Sequence, residues 1–214
     1  MILGIDTCGV TGSLALGRWD GETVSVLSQT EMAGKTFCAE LVARVREMLH
    51  AHAAKVADLQ AIVVVSGPGS FTGVRIGISS AKGLAEALKT PVIALSRLAI
   101  LAHKGHADAA AMDAGRNEFY FGSYKDAAME ELLTAEEAGL RAAEKIAVCE
   151  ERLLKLWPST LFVPTPDAGD ALLFAVPRLR AAEYDDLMLL DGNYVRRSDA
   201  ELFARPKLQA ALHP

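Results

Sequence analysis

The chain has 214 residues, 51% of them apolar and 23% charged, with a net charge of −5. That is enough apolar sequence to bury a core, which excludes a disordered chain, and the acidic balance lacks the basic stripe of a protein that binds nucleic acid by itself. Cys8, Cys38 and Cys149 are far apart and form no CxxC, so neither a disulfide framework nor a zinc ribbon is indicated; a cytoplasmic setting is expected, with no signal peptide and no apolar run near the roughly 20 residues that span a bilayer.

Ile2 to Ile5 reads as a strand ending in Asp6, and Gly9, Thr11 and Gly12 supply turn chemistry before a second strand around Leu14 to Leu16. Asp20-Gly21 signals a hairpin into Val24 to Leu27, completing a three-strand meander. In Thr36 to His52 the period changes: Phe37, Leu41, Val45, Met48 and Leu49 recur at helical spacing. Ala61 to Val65 is a continuous β-branched run, as in a strand buried on both faces. A glycine-rich turn, Ser66 to Gly77, leads into a helix reaching about Lys89. Pro91 to Leu95 is a further strand, and Ser96 caps a short helix ending near His103. Ala109 to Met112 and Glu118 to Tyr124 form a second strand pair, with Asp113 at the end of the first. Thr134 and Glu137 make a capping box. Ile146 to Cys149 is either strand or helix, Leu161 to Val163 is a strand, and Asp170 to Leu179 is a helix broken or bent at Pro177. Asn193 to Arg197 closes the ordered part. Strand, Asp, small residue, turn and strand occur at Asp6 and again at Asp113, an indication of duplication.

Three glycine motifs are tested by the turn SGPGSFTGVRIG. A Walker A loop has four residues between its glycines and then Lys-Ser/Thr; Gly67 and Gly73 are separated by five, and Val74-Arg75 follows. The third glycine of a dinucleotide fingerprint falls one position late at Gly73. A nucleophile elbow fails because Pro68 and Thr72 flank Ser70. Two readings remain: a helix N-terminus whose free amides hold an anion, or a tight strand-to-helix connection capped by Ser70 or Thr72.

The helix after the turn carries one polar stripe, Arg75, Ser79, Lys82, Glu86 and Lys89; the rest of its surface is apolar or small. Such a helix is covered on two sides. One cover is a sheet; the other is either the helix Thr36 to His52 or a partner protein, with Gly73, Gly77 and Ala81 spaced for close backbone approach.

IDTCGVTGSLAL, GPGSFTGVRIGISSAKGLAEAL, DAGRNEFYFGSY and NYVRRSDAE occur in this order and together resemble the TsaB (YeaZ) family of tRNA threonylcarbamoyladenosine biosynthesis, in the TsaD-like superfamily. The second stretch is the specific one. The resemblance implies an α/β, actin-like fold (the hsp70, sugar kinase and actin class) of two small lobes, with ribonuclease-H-like mixed sheets and flanking helices. The expected lobes are 1–103, bearing the partner-binding helices, and 104–214, the smaller. It also implies a non-catalytic scaffold that pairs with a TsaD-like catalytic subunit, joined by a TsaE-like ATPase. That assembly transfers threonylcarbamoyl to the adenosine beside the anticodon in tRNAs reading codons that start with A. The chain would meet tRNA through the complex and form a homodimer when alone. The partner contacts so implied are Phe37, Leu41, Val45, Phe71, Gly73, Ile76, Gly77 and Ser80. Departures from the family pattern fall at Cys8, at Phe37-Cys38-Ala39, at Gly115 and at Cys149-Glu150-Glu151.

Actin-like ATPases place an Asp at the end of each lobe's first strand to order hydrated Mg²⁺ at nucleotide phosphates, and Asp6 and Asp113 stand where those would be. Asp6, Thr7, Arg75 and Asp113 are therefore the candidate nucleotide or anion contacts for ATP or ADP with Mg²⁺, and a self-sufficient ATPase or kinase is the alternative function. The bland reading is two strand-end carboxylates capping turns; the chain has no Gly-Gly for an adenosine site. No intrinsic cofactor, catalytic residue or metal ligand is assigned. A metallopeptidase finds no HExxH, and His103 with His106 reads as a solvated helix end. Arg75, and Arg196 and Arg197 beside Tyr194, hold an acidic partner segment, a nucleotide phosphate or tRNA backbone, or else pair with the chain's own carboxylates.

Overall fold

The computed structural model describes residues 1–34, 36–140, 145–157 and 160–195. The first half is built from β1 (Ile2–Asp6), β2 (Thr11–Trp19), β3 (Val24–Ala33), α1 (Phe37–Ala51), β4 (Ala61–Gly67), α2 (Phe71–Leu88), β5 (Val92–Ser96) and α3 (Arg97–Lys104). The second half repeats the series: β6 (Ala109–Gly115), β7 (Glu118–Ser123), β8 (Met129–Thr134), α4 (Ala135–Leu140), β9 (Ile146–Val148), α5 (Glu151–Leu156), β10 (Leu161–Phe162) and α6 (Ala168–Phe174), followed by α7 (Val176–Arg180). Each half makes one five-stranded mixed sheet, β3-β2-β1-β4-β5 and β8-β7-β6-β9-β10. In each, the three-strand meander is antiparallel and the last two strands add in parallel. The repeat suspected around Asp6 and Asp113 thus extends to the whole topology.

Burial follows the sequence pattern. The run in β4 is buried at every residue because β1 and β5 flank it and helices lie over it. The helix that closes each half crosses to the other sheet. Leu98, Leu101 and Ala102 of α3 pack with Ala110, Met112 and Ala147 of the second sheet. Ala168, Ala171 and Leu172 of α6 join the core of the first. That exchange explains a glycine inside β1, where a Cβ on Gly4 would stand 2.7 Å from the Ala168 carbonyl oxygen. The expected boundary at 103/104 falls at the last residue of α3, ahead of β6, and the chain beyond it returns to the first sheet through α6 and α7.

Several elements differ from the sequence reading. β8 was not foreseen: MEELLT is short and acidic, yet it pairs with β7 along its length. Ile146 to Cys149 resolves as strand β9, and α5 follows it. The helix expected from Asp170 starts earlier and divides at Ala175. Pro177 lies in the first turn of α7, where its missing N–H costs nothing. Asp167 caps α6 in a reciprocal box, accepting from the Asp170 N–H at 3.0 Å while the Asp170 carboxylate accepts from the Asp167 N–H at 3.0 Å. Asp167→Ala is expected to cost about 1 kcal/mol, read as a melting temperature about 2–4 °C lower. Arg196 and Arg197 lie outside the described residues.

Candidate functional site

β1 ends at Asp6, and the following turn is held from several sides. The Cys8 N–H donates to Asp6 Oδ1 at 2.8 Å, and Thr7 Oγ1 donates to the Gly73 carbonyl at 2.6 Å. The Ser70 N–H donates to the Cys8 carbonyl at 2.7 Å. Ser70 is the N-cap of α2, accepting from the Gly73 N–H. The glycine-rich turn is therefore a surface fitted to the β1–β2 turn: a Cβ at Gly69 would stand 2.4 Å from the Cys8 carbonyl oxygen, at Gly73 1.9 Å from the Thr7 carbonyl oxygen, and at Gly77 2.4 Å from Thr7 Oγ1.

The second half repeats the carboxylate geometry. Asp113 Oδ1 accepts from the Gly115 N–H at 2.8 Å, and Oδ2 accepts from Arg152 Nη1 at 2.6 Å. Between the halves lies a cleft of about 740 Å³, reached by Gly9, Gly69 and Ile76 on one side and by Asp113, Tyr120 and Glu150 on the other. Arg97, the first residue of α3, lies in its wall with Nε 3.6 Å from Asp6 Oδ2.

Among the candidate anion contacts, Asp113 lines the cleft, Asp6 and Thr7 are buried behind it, and Arg75 is outside it. The Arg75 guanidinium lies 3.7 Å from the centroid of the Phe71 ring, which in turn packs on Tyr194. Of the four candidate nucleotide or anion contacts, only Asp113 lines the cleft itself. The residues present do not fit hydrated Mg²⁺ either. Each aspartate has one oxygen accepting from a turn N–H and an arginine facing the other, so the positive charge that a cation would supply is already present beside both. Among the described residues no group of three or more His, Cys, Asp or Glu converges. His103 and His106 are exposed, and the His103 ring rests against Phe174.

The partner contacts divide. Phe37, Leu41 and Val45 form the core face of α1, and Gly73 and Gly77 face Thr7, so these five are buried against their own chain. Phe71, Ile76 and Ser80 reach the surface. Beside the polar stripe of α2 runs a small and apolar ridge, Thr72, Ile76, Ser80, Gly83 and Ala87, at helical spacing. On the neighbouring α1, Val42 is 61% exposed, while Glu40, Arg44 and Glu47 pair with one another on the opposite flank.

Nucleophilic chemistry finds no support in the two buried thiols, Cys8 and Cys149. Burial pushes Cys8 well above the ordinary range and Cys149 up to about 12, so both stay protonated. Burial also raises Glu150, outweighing the attraction of Arg97. Its carboxylate form is thus penalised in the folded chain, and stability falls as pH rises from the ordinary value towards the raised one. Glu150→Gln removes that loss. Melting curves should show the variant more stable at neutral pH and equal to the parent in acid, below the ordinary Glu value.

Arg97 and Arg152 were not singled out from sequence, and Glu150 only as a departure from the family pattern. Nor was Glu130 of β8, whose carboxylate accepts from Tyr124 OH at 2.5 Å and also from Ser96 Oγ and Asn193 Nδ2. Only Ser96, as a helix cap, gave a signal near this network.

Two repeated mixed sheets with exchanged helices around a cleft define a chain of the actin-like α/β class. Residues 25–156 match the family model described as TsaD, tRNA N6-adenosine threonylcarbamoyltransferase. The tRNA threonylcarbamoyladenosine biosynthesis protein TsaB of Bacillus subtilis is 38% identical over 128 residues, covering 58% of this chain and 55% of that protein. TsaB of Escherichia coli is 35% identical over 130 residues, covering 58% and 54%. The match therefore spans about half the length of these relatives. The solved structure of YeaZ from Pseudomonas aeruginosa superposes with a TM-score of 0.74 at 27% identity, over 90% of this chain and 98% of that one. The chain belongs to the TsaD family, and within that superfamily to the TsaB/YeaZ proteins. No described helix is long and apolar enough to cross a membrane.

Proposed function

We propose that this chain is a non-catalytic accessory subunit in tRNA threonylcarbamoyladenosine biosynthesis, activating a TsaD-related catalytic subunit that modifies the adenosine beside the anticodon. The names of its relatives support the pathway. The observation that carries the accessory role is the apolar and small surface left on both helices, Val42 exposed on α1 and Ile76 and Ser80 half-buried in a row of small residues on α2, while both strand-end aspartates are engaged within the chain. A helix face of this kind seats another helix pair, and a catalytic pocket needs free functional groups. A TsaE-like ATPase joins the pair, tRNA is met through the complex, and the same face closes a homodimer when the partner is absent. The working lobes are 1–103 and 104–214, with α3 packed across onto the second sheet and α6 and α7 onto the first; the setting is cytoplasmic.

The test is reconstitution with a TsaD-related protein from the same organism. The two are expected to elute together on size exclusion, and this chain should raise the rate of threonylcarbamoyl transfer to tRNA while showing no transfer alone. Separate elution and an unchanged rate would remove the proposal.

A further inference from the structure

Arg97 is 6% exposed, a costly place for a charge that lacks a partner. It belongs to α3, whose Leu98, Leu101 and Ala102 are packed on the second sheet, yet its guanidinium serves the first. Its Nε faces Asp6 at 3.6 Å and makes no hydrogen bond. Its other end touches the β1–β2 turn so closely that a Cβ at Gly9 would stand 2.9 Å from Nη2. Glu150 and Cys149, at the end of β9, lie within its electrostatic reach. The residue before it, Ser96, donates to Glu130 of β8. The first turn of α3 therefore touches both sheets at the cleft.

We infer that Arg97 is a resident cation: it sets a permanent positive charge against the strand-end carboxylate Asp6 at the wall of the cleft, so that this carboxylate is neutralised and the first sheet is tied to α3, which packs on the second, without ligand. Asp113 is served in the same way by Arg152, which also donates to Asn117 at 3.2 Å. A guanidinium suits this role because its charge is permanent and its donors are spread over a plane. Nucleotide with Mg²⁺ then meets two carboxylates whose charge is already matched by an arginine.

The test compares wild type, Asp6→Asn, Arg97→Met and the double variant by thermal melting, each with and without millimolar Mg²⁺ and AMP-PNP. Wild type should melt at the same temperature in both conditions. Arg97→Met should melt about 10 °C lower, because Asp6 is left charged and unpaired. The double variant should recover more than half of that loss, which deleted packing alone would not return. Where Arg97→Met yields no folded protein, recovery of folded double variant carries the same information. A double variant no better than Arg97→Met overturns the inference. So does an upward shift of wild type with Mg²⁺ and AMP-PNP that Asp6→Asn abolishes.

Discussion

Gly73→Ala is expected to lose about 3 kcal/mol or more of stability, because the added methyl has no room. The position a Cβ would take is 1.9 Å from the Thr7 carbonyl oxygen, and that atom is backbone. Thr7 has no freedom to retreat: its hydroxyl donates to the Gly73 carbonyl, and the next residue is bonded to Asp6 and to Ser70. Relief would require α2 to move off the first sheet, opening the core around Val74 and Ile78. Gly77→Ala meets Thr7 Oγ1 at 2.4 Å and should follow the same course. Gly83→Ala is the control. It lies on the exposed side of the same helix with nothing within 4 Å, so a better helix former should add roughly 0.5–1 kcal/mol. Urea unfolding of the three variants should therefore place two midpoints well below the parent and one slightly above it.

The second large effect is expected on association. Val42→Asp with Ser80→Arg adds charge to the two helices at outward positions. Surface changes of this kind alter folding by about 0.5 kcal/mol or less. In a closely packed helix interface the same charges would be desolvated without partners, weakening pairing by at least about 30-fold, roughly 2 kcal/mol. This pair separates binding from folding better than Gly77, the position suggested by small-residue spacing, since Gly77 is part of the chain's own core.

That contrast shows what the sequence makes legible. The β-branched run in β4, the stripe of α1 and the Ser96 cap are local patterns, and each appears in the fold where its period places it. The Asp6 and Asp113 repeat marks a duplication because turn chemistry is local too. The purpose of the glycines in α2 is not local: small-residue spacing says that something approaches closely, and only the fold says that it is Thr7, far back in the chain. Arg97 shows the same limit. An arginine in the first turn of a helix reads as exposed, and its burial results from α3 crossing to the second sheet while Asp6 stays on the first. β8 was hidden because Glu130 and Glu131 look like solvent residues, although Glu130 turns towards Tyr124, Ser96 and Asn193.

The most direct test of the accessory role is a calorimetric titration of the TsaD-related partner with wild type and with Val42→Asp/Ser80→Arg. The account predicts saturable binding of wild type and binding at least about 30-fold weaker for the variant, with its melting temperature unchanged. Equal affinity of the two proteins for the partner would contradict it.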